Sequence, residues 1–249
     1  LQEKFFTNDQ GNSREFVDWN RAGFGQLDII GCIANSSNVC FYKIGGGYGT
    51  EIPDGLGICR LGAYARALGY GDYSGIELPG EQNGLIPDPR WKRIQRGENW
   101  STGDTYLASV GQGFVLATPL QVLLSAATIA NDGTLVNPTL IHTITDGEGN
   151  PIPEITDADG KVIHPGVPDV RWDLTTDAVI PNYIQYVSGS GGCQESGARK
   201  TVAPWVIDLV QQGMRNAVRI GTLKKEFATF AIAAAGKTGS AEYCDNFAQ

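Results

Sequence analysis

The stretch AIAAAGKTGS, residues 231–240, constrains this chain most. Its apolar part is short and bounded by glycine and polar residues, so it reads as a strand. On a strand, Lys237 and Gly239 share one face while Thr238 and Ser240 share the other. Gly239 removes a side chain, which lets another backbone or a ligand come close. One ammonium, two hydroxyls and an accessible edge suit recognition of a carboxylate. Read alone, the same residues also fit a solvated lysine on an edge strand. Far upstream, Ser36-Ser37-Asn38 read alone is a turn or helix cap, because Ser and Asn hydrogen-bond to nearby backbone.

Patterning places helices around these two points. From Asp28 to Tyr42 apolar groups recur at helical spacing on both sides of a break near Asn35 to Asn38. Residues 60–69 form a short amphipathic helix closed by Gly69. At Thr118-Pro119-Leu120-Gln121 a cap, a first-turn proline and a capping-box glutamine coincide, predicting a helix to about Asn131 that stops at Gly133. A strand over 134–142 and a helix from about Pro204 to Val218 follow. Residues 1–25 read mainly as loop, and 145–200 as a polar, Gly- and Pro-rich stretch with flexible patches.

The bulk numbers exclude several classes. The 249 residues can bury a substantial core, and 41% hydrophobic against 18% charged content is that of a globular protein. The net charge of −8 offers no basic stripe to neutralise phosphates, so no nucleic-acid partner is expected. No apolar run approaches the roughly 18 residues a membrane span needs. Five cysteines show no metal-binding spacing, and their odd number forbids complete internal pairing. They read as buried or free thiols, with Cys193–Cys244 the one pair placed suitably for a disulfide. His142 and His164 lack partners in sequence and read as structural or surface residues. Gly111-Gln112-Gly113 lacks the ending of a phosphate loop and reads as architecture. Glu77 and Glu81, four apart in a turn, read as solvated carboxylates.

Taken together, Ser36-x-Asn38 and Lys237-Thr238-Gly239 resemble the second and third motifs of the penicillin-recognising serine acyltransferases, a motif set known from β-lactamases and penicillin-binding proteins. The blocks between them, including LGYGDYSGIELPGEQNGLIP and NWSTGDTYLASVGQGFVLATPLQVLLSAATIANDG, are similar to the transpeptidase domain of class B penicillin-binding proteins. Within that family the GDT–GQG–TPLQ run most resembles the penicillin-binding protein 2 branch, which builds the side wall during elongation. The resemblance spans most of residues 16–142 and 204–243, and leaves 145–200 as a variable insertion or loop. It implies one partial domain over 1–249 of α+β class, an antiparallel sheet flanked by helices, incomplete at both ends. A sheet edge left open in this way predicts low stability for the chain alone.

The resemblance also implies a function: a peptidoglycan D,D-transpeptidase that cross-links stem peptides through a serine ester and is the target of β-lactams. The alternative is a non-catalytic domain binding partners of the elongation machinery. Ser36 would relay a proton, Asn38 would bind a donor-peptide amide, and Lys237 would supply positive field at the donor carboxylate. Thr238 and Gly239 would shape the strand under the substrate. Ser240 would offer its hydroxyl to the carboxylate and its backbone N–H to an oxyanion hole. The implied partners are stem peptides ending in D-Ala-D-Ala, β-lactams and a membrane-embedded glycan polymerase. The implied location is the extracytoplasmic face of the cell membrane, with an anchoring helix outside this chain. No cofactor is expected.

Two departures from the family pattern stand out. No serine here has a lysine three positions on, and the nearest miss is Ser196 with Lys200. The nucleophile is therefore expected upstream of Leu1. Some members of this branch also bind zinc through an Asp, a His in a GHG step and a Cys. Asp18 matches, but the step is Gly23-Phe24-Gly25 and the Cys position is Ser37, so no metal is expected.

Overall fold

The computed structural model describes residues 5–9, 12–152, 154–164, 169–187 and 192–240. In chain order, β1 (Phe5–Asp9) and β2 (Asn12–Phe16) precede five helices: α1 (Ile29–Ala34), α2 (Asn38–Gly46), α3 (Gly57–Ala67), α4 (Pro89–Arg96) and α5 (Thr102–Ser109). Then come α6 (Pro119–Ala130), β3 (Thr134–Val136), β4 (Ile155–Thr156), β5 (Val162–His164), β6 (Val170–Asp173), β7 (Ile180–Val187), β8 (Gly192–Lys200) and α7 (Pro204–Arg219). The described strands pair two by two and antiparallel: β1 with β2, β3 with β6, β4 with β5, β7 with β8. The α+β class with antiparallel pairing follows the sequence-based expectation.

The helix boundaries lie where side chains cap them. Asp28 accepts from Gly31 N at 2.7 Å to open α1, and Ser37 accepts from Cys40 N at 3.4 Å to open α2. Between them, Asn35–Ser37 forms the predicted break. Thr118 and Gln121 form a reciprocal capping box on α6 with Pro119 in the first turn. Gln121 is also buried, and its Nε2 donates to Asp72 O and Asn83 O, which ties the 72–84 loop to this helix.

Several loop expectations are corrected. Residues 5–16 form a hairpin in register from Phe5↔Phe16 to Asp9↔Asn12, so cross-strand backbone pairing prevails over polar composition. The strand predicted over 134–142 is regular only to Val136. Asn137 N still bonds Asp169 O at 2.8 Å, and Pro138 then has no N–H to offer the ladder. Much of 155–200 is strand rather than loop, with β7 and β8 paired from Ile180↔Lys200 to Val187↔Gly192. Residues 231–240 form no regular strand, because no described strand pairs with them.

The cysteine expectation is corrected as well. Cys193 is bonded to Cys59, with Cα atoms 5.3 Å apart, and Cys32 is bonded to Cys40. The first bridge forms because β7 and β8 lie over α3, where Ile58, Cys59, Ala63 and Ile184 make a buried cluster that includes Cys193 at its edge. Cys193 is thus unable to pair with Cys244, which lies outside the described residues.

Among the described residues, small buried clusters hold the helices in place. Phe16, Tyr42 and Tyr106 meet edge-on or tilted with ring centroids 5.1–5.8 Å apart, joining β2, α2 and α5. Ala67, Leu174, Ile180, Val202 and Ile207 join α3 to the start of α7. At the centre of α7, Gly213 lies against Ile33 of α1. A Cβ on Gly213 would fall 2.7 Å from the Ile33 Cβ, so the two helix backbones are closer than any side chain there permits.

Glu81 is half-buried rather than simply solvated. Its carboxylate accepts from Ser74 N at 2.6 Å, Ser74 Oγ at 2.5 Å and Gly75 N at 3.2 Å. Glu77 is engaged elsewhere, accepting from Thr139 Oγ1 and Leu140 N. Desolvation pushes the Glu81 pKa up, but the Ser74 and Gly75 hydrogen bonds and Arg171 outweigh it and hold the carboxyl below its usual 4.5.

Two substitutions test this packing. Gly→Ala inside a helix ordinarily gains about 1 kcal/mol. Gly213→Ala should instead lose about 1–3 kcal/mol through overpacking against Ile33, read as a lower thermal midpoint. Glu81→Gln should lower stability at neutral pH. Because folding depresses this pKa, its contribution is present above 4.5 and is lost as pH falls through the folded value. Parent and variant stabilities should therefore converge in acid in a denaturant series.

Candidate active site

The turn at Ser36 begins the site. Ser36 has φ 51°, a left-handed conformation unusual for a residue with a Cβ. Its N–H reaches Ile33 O at 3.2 Å, and Ser37 N reaches Cys32 O at 3.1 Å, so α1 ends in a tight reversal. Three neighbours fasten that reversal. The buried Asp18 carboxylate accepts from Ser37 Oγ at 2.6 Å and from Val39 N at 3.3 Å. Trp19 Nε1 donates to Asn35 O at 3.1 Å, and Thr222 N donates to Ala34 O at 3.1 Å.

The last contact leads to the second half of the site. After α7 the chain passes Gly221, whose missing Cβ lets the backbone run directly against Ala34 O. It returns over α7, where Gly236 N bonds Met214 O at 3.1 Å and Arg215 Nη1 bonds Ala234 O at 2.5 Å. A Cβ on Gly236 would sit 2.8 Å from Leu223 Cδ1. The residues before Lys237 are small because this segment lies flat on a helix and its following turn.

That course delivers Lys237 to Ser36. Lys237 Nζ donates to Ser36 Oγ at 2.6 Å and to Thr238 O at 2.8 Å, joining motifs 201 positions apart. Thr238 points the other way and shares a 3.1 Å hydrogen bond with Thr222 Oγ1. The facing of Lys237 and Thr238 is as the sequence predicts, although the segment is not a regular strand. The space a side chain would take at Gly239 is open. Ser240 is exposed, and its carbonyl accepts from Gln112 Nε2 at 2.5 Å. Asn38 is half-buried at the first position of α2, one turn-residue beyond Ser36 and Ser37. All six residues singled out in the two motifs thus lie in or beside one region.

Gln112 is the contact that sequence reading missed. The Gly111-Gln112-Gly113 turn after α5 reads as architecture, yet its side chain holds the backbone of Ser240. The signal was an amide between two glycines, a backbone shape that lets the side chain project.

Electrostatically, the site presents one cation to an open edge. The Lys237 residue keeps substantial exposure, while its ammonium is drawn against Ser36, and partial desolvation holds its pKa below the ordinary 10.5. An ammonium so placed can polarise a hydroxyl and attract a carboxylate. The Asp18 position does not suit zinc. Asp18 Oδ2 is engaged by Ser37, Phe24 and Ser37 offer no imidazole or thiolate, and the described residues contain no cluster of three His, Cys, Asp or Glu.

The model of the penicillin-binding protein transpeptidase domain matches residues 1–248. The chain belongs to this family. It is 33% identical over 181 residues to peptidoglycan D,D-transpeptidase MrdA of Acinetobacter baumannii, a match covering 73% of this chain and 25% of that protein. With MrdA of Haemophilus influenzae it shares 28% over 234 residues, 93% of this chain and 29% of the relative. The transpeptidase-family chain therefore spans between a quarter and three tenths of these relatives. Its structure resembles Pseudomonas aeruginosa penicillin-binding protein 2 in complex with WCK 5153, with TM-score 0.65 and 27% identity over 96% of this chain and 45% of that one. It also resembles a chain of a peptidoglycan synthase complex that coordinates polymerization and crosslinking, with TM-score 0.62 and 25% identity over 99% and 33%.

Lys237→Met tests the electrostatics. Folding lowers this pKa, so the folded protein binds fewer protons than the unfolded chain between the lowered value and 10.5, and stability rises with pH in that window. Removing the ammonium should relieve the desolvation cost at neutral pH. The stability of the variant relative to the parent should be highest there and should shrink as pH rises toward 10.5, as measured by thermal melts across pH.

Proposed function

We propose that this chain forms one wall of the acyl-transfer site of an elongation-type peptidoglycan D,D-transpeptidase. The observation that carries the reading is the 2.6 Å contact between Lys237 Nζ and Ser36 Oγ, which closes two distant motifs into one site. In this reaction a serine oxygen attacks the carbonyl of the penultimate D-Ala, the terminal D-alanine leaves, and the amine of a second stem peptide then resolves the ester. No Ser-x-x-Lys occurs in residues 1–249, so the nucleophile and its activating lysine belong to chain beyond them.

The roles of the residues present follow from their chemistry. Lys237 attracts the donor carboxylate and, through its bond to Ser36, orients a hydroxyl that passes a proton to the leaving amine and accepts one from the incoming amine. Asn38 offers an amide to the donor backbone. The open space at Gly239 admits the substrate chain, while Thr238 and Thr222 brace the far side of the segment. Ser240 lends its hydroxyl to the carboxylate and its N–H to the developing oxyanion, with Gln112 fixing its backbone. β-Lactams, as mimics of the D-Ala-D-Ala terminus, would acylate the same serine.

A glycan polymerase is the proposed partner, supported by the likeness to a chain of a synthase complex that couples polymerization and crosslinking. The extracytoplasmic face of the membrane is the proposed location, supported by two disulfides, which persist in oxidising compartments. Among the described residues no helix is long and apolar enough to cross a membrane.

The full-length protein should form a penicilloyl-serine adduct, detected by mass spectrometry on a serine outside residues 1–249. Ser36→Ala should slow that acylation by roughly 10²–10⁴-fold, the usual worth of a positioned proton-transfer group, without unfolding the protein. A folded full-length protein that forms no adduct would overturn the reading.

A further inference from the structure

The turn that carries Ser36 is spanned by a covalent bond. Cys32 lies in α1 and Cys40 in α2, four residues on either side of Ser36, and their Cα atoms are 6.0 Å apart. Both helices are short, six and nine residues, well below the length at which a helix is stable by itself. The turn between them holds a left-handed serine, a conformation that persists only when its surroundings over-determine it.

One backbone bond, from Ser37 N at the cap of α2 to Cys32 O at 3.1 Å, runs back to α1. The other ties fasten the turn to more distant chain: Ala34 to Thr222, and Asn35 and Ser37 to the adjacent Trp19 and Asp18. On the side of the bridge there is a cavity of about 820 Å³, lined by residues including Asp28, Cys32, Ser37, Cys40 and Lys43. Among the described residues that flank of the α1–α2 corner is open, and the disulfide is the covalent link across it. Its rupture would let the corner relax into that space and turn Ser36 Oγ away from Lys237.

We propose that Cys32 and Cys40 are positioning residues for acyl transfer, their disulfide holding the Ser36 turn in the geometry that presents its hydroxyl to Lys237. The inference rests on the transpeptidase reading above. The bond forms when two thiols give up two electrons and two protons to a disulfide-bearing oxidant. A dithiol such as dithiothreitol reverses this, ending as its own cyclic disulfide while Cys32 and Cys40 return to thiols. The cavity gives such reagents an approach to the half-buried Cys40.

The test uses the full-length protein and a fluorescent penicillin. Cys32→Ala with Cys40→Ala should acylate about 10- to 100-fold more slowly, the scale expected when a reacting group is displaced by about 1 Å. The limb of the pH–rate profile governed by Lys237 should move to higher pH as its ammonium returns to water. Cys59→Ala with Cys193→Ala should acylate at the parent rate, which separates loss of positioning from loss of a bridge in general. Should the first variant fold poorly, graded reduction and reoxidation of the parent replaces it, with alkylation and mass spectrometry reporting which bridge is open. Acylation should then fall and recover with the Cys32–Cys40 bond alone. Equal rates and equal pH profiles with and without that bond would overturn the inference while leaving the transpeptidase reading intact. An oxidised, folded parent that forms no adduct would overturn both.

Discussion

The site depends on how closely α1 and α7 approach. Ser36 is carried at the end of α1, and Lys237 returns along α7, so the distance between these helices decides whether the two motifs meet. Glycine is the means at each crossing. Gly213 admits Ile33, Gly221 lets a backbone pass Ala34 O, and Gly236 lies over Leu223. Each glycine inside a helix or loop forfeits conformational entropy, a cost of roughly 0.5–1 kcal/mol relative to Ala in a helix. That cost is offset by apolar contact and by backbone hydrogen bonds such as Thr222 N to Ala34 O and Gly236 N to Met214 O. The geometry of the 2.6 Å ammonium–hydroxyl contact thus rests on backbones that touch without side chains between them.

Much of this was legible in the sequence, and the legible parts share a cause. Helix ends are written locally: Asp28, Ser37, Thr118 with Gln121, and Pro204 all sit where the structure opens a helix. The two motifs were legible through a family resemblance. What stayed hidden is non-local. A disulfide needs two backbones brought within a few ångströms, and nothing in the spacing of five cysteines tells that Cys193 would meet Cys59 across 134 positions. The 5–16 hairpin was hidden for a similar reason, since its polar residues are held by cross-strand pairing that composition does not announce. The 231–240 segment is the converse. Its composition suits a strand, but strand structure is a property of a pair, and no described strand lies beside it.

Ser37 gives the clearest view of how the turn is built. Its hydroxyl donates to Asp18 Oδ2 and at the same time accepts from Cys40 N, the capping contact of α2. The two bonds form a chain from a buried carboxylate through one hydroxyl into a helix N-terminus. The positive end of the helix dipole favours the carboxylate charge, and Val39 N adds a direct donor to the same oxygen. A buried carboxylate is costly unless hydrogen-bonded, and this network holds Asp18 Oδ2 in place and fixes the start of α2. Hydrogen bonds and the nearby Cys32–Cys40 disulfide connect these segments in this chain. The adjacent Ser36 inherits its orientation from both: its N–H is bound by the end of α1, and its following residue is bound by Asp18. The serine that contacts Lys237 is therefore held from its backbone outward, which leaves its hydroxyl free to exchange partners while its Cα stays fixed.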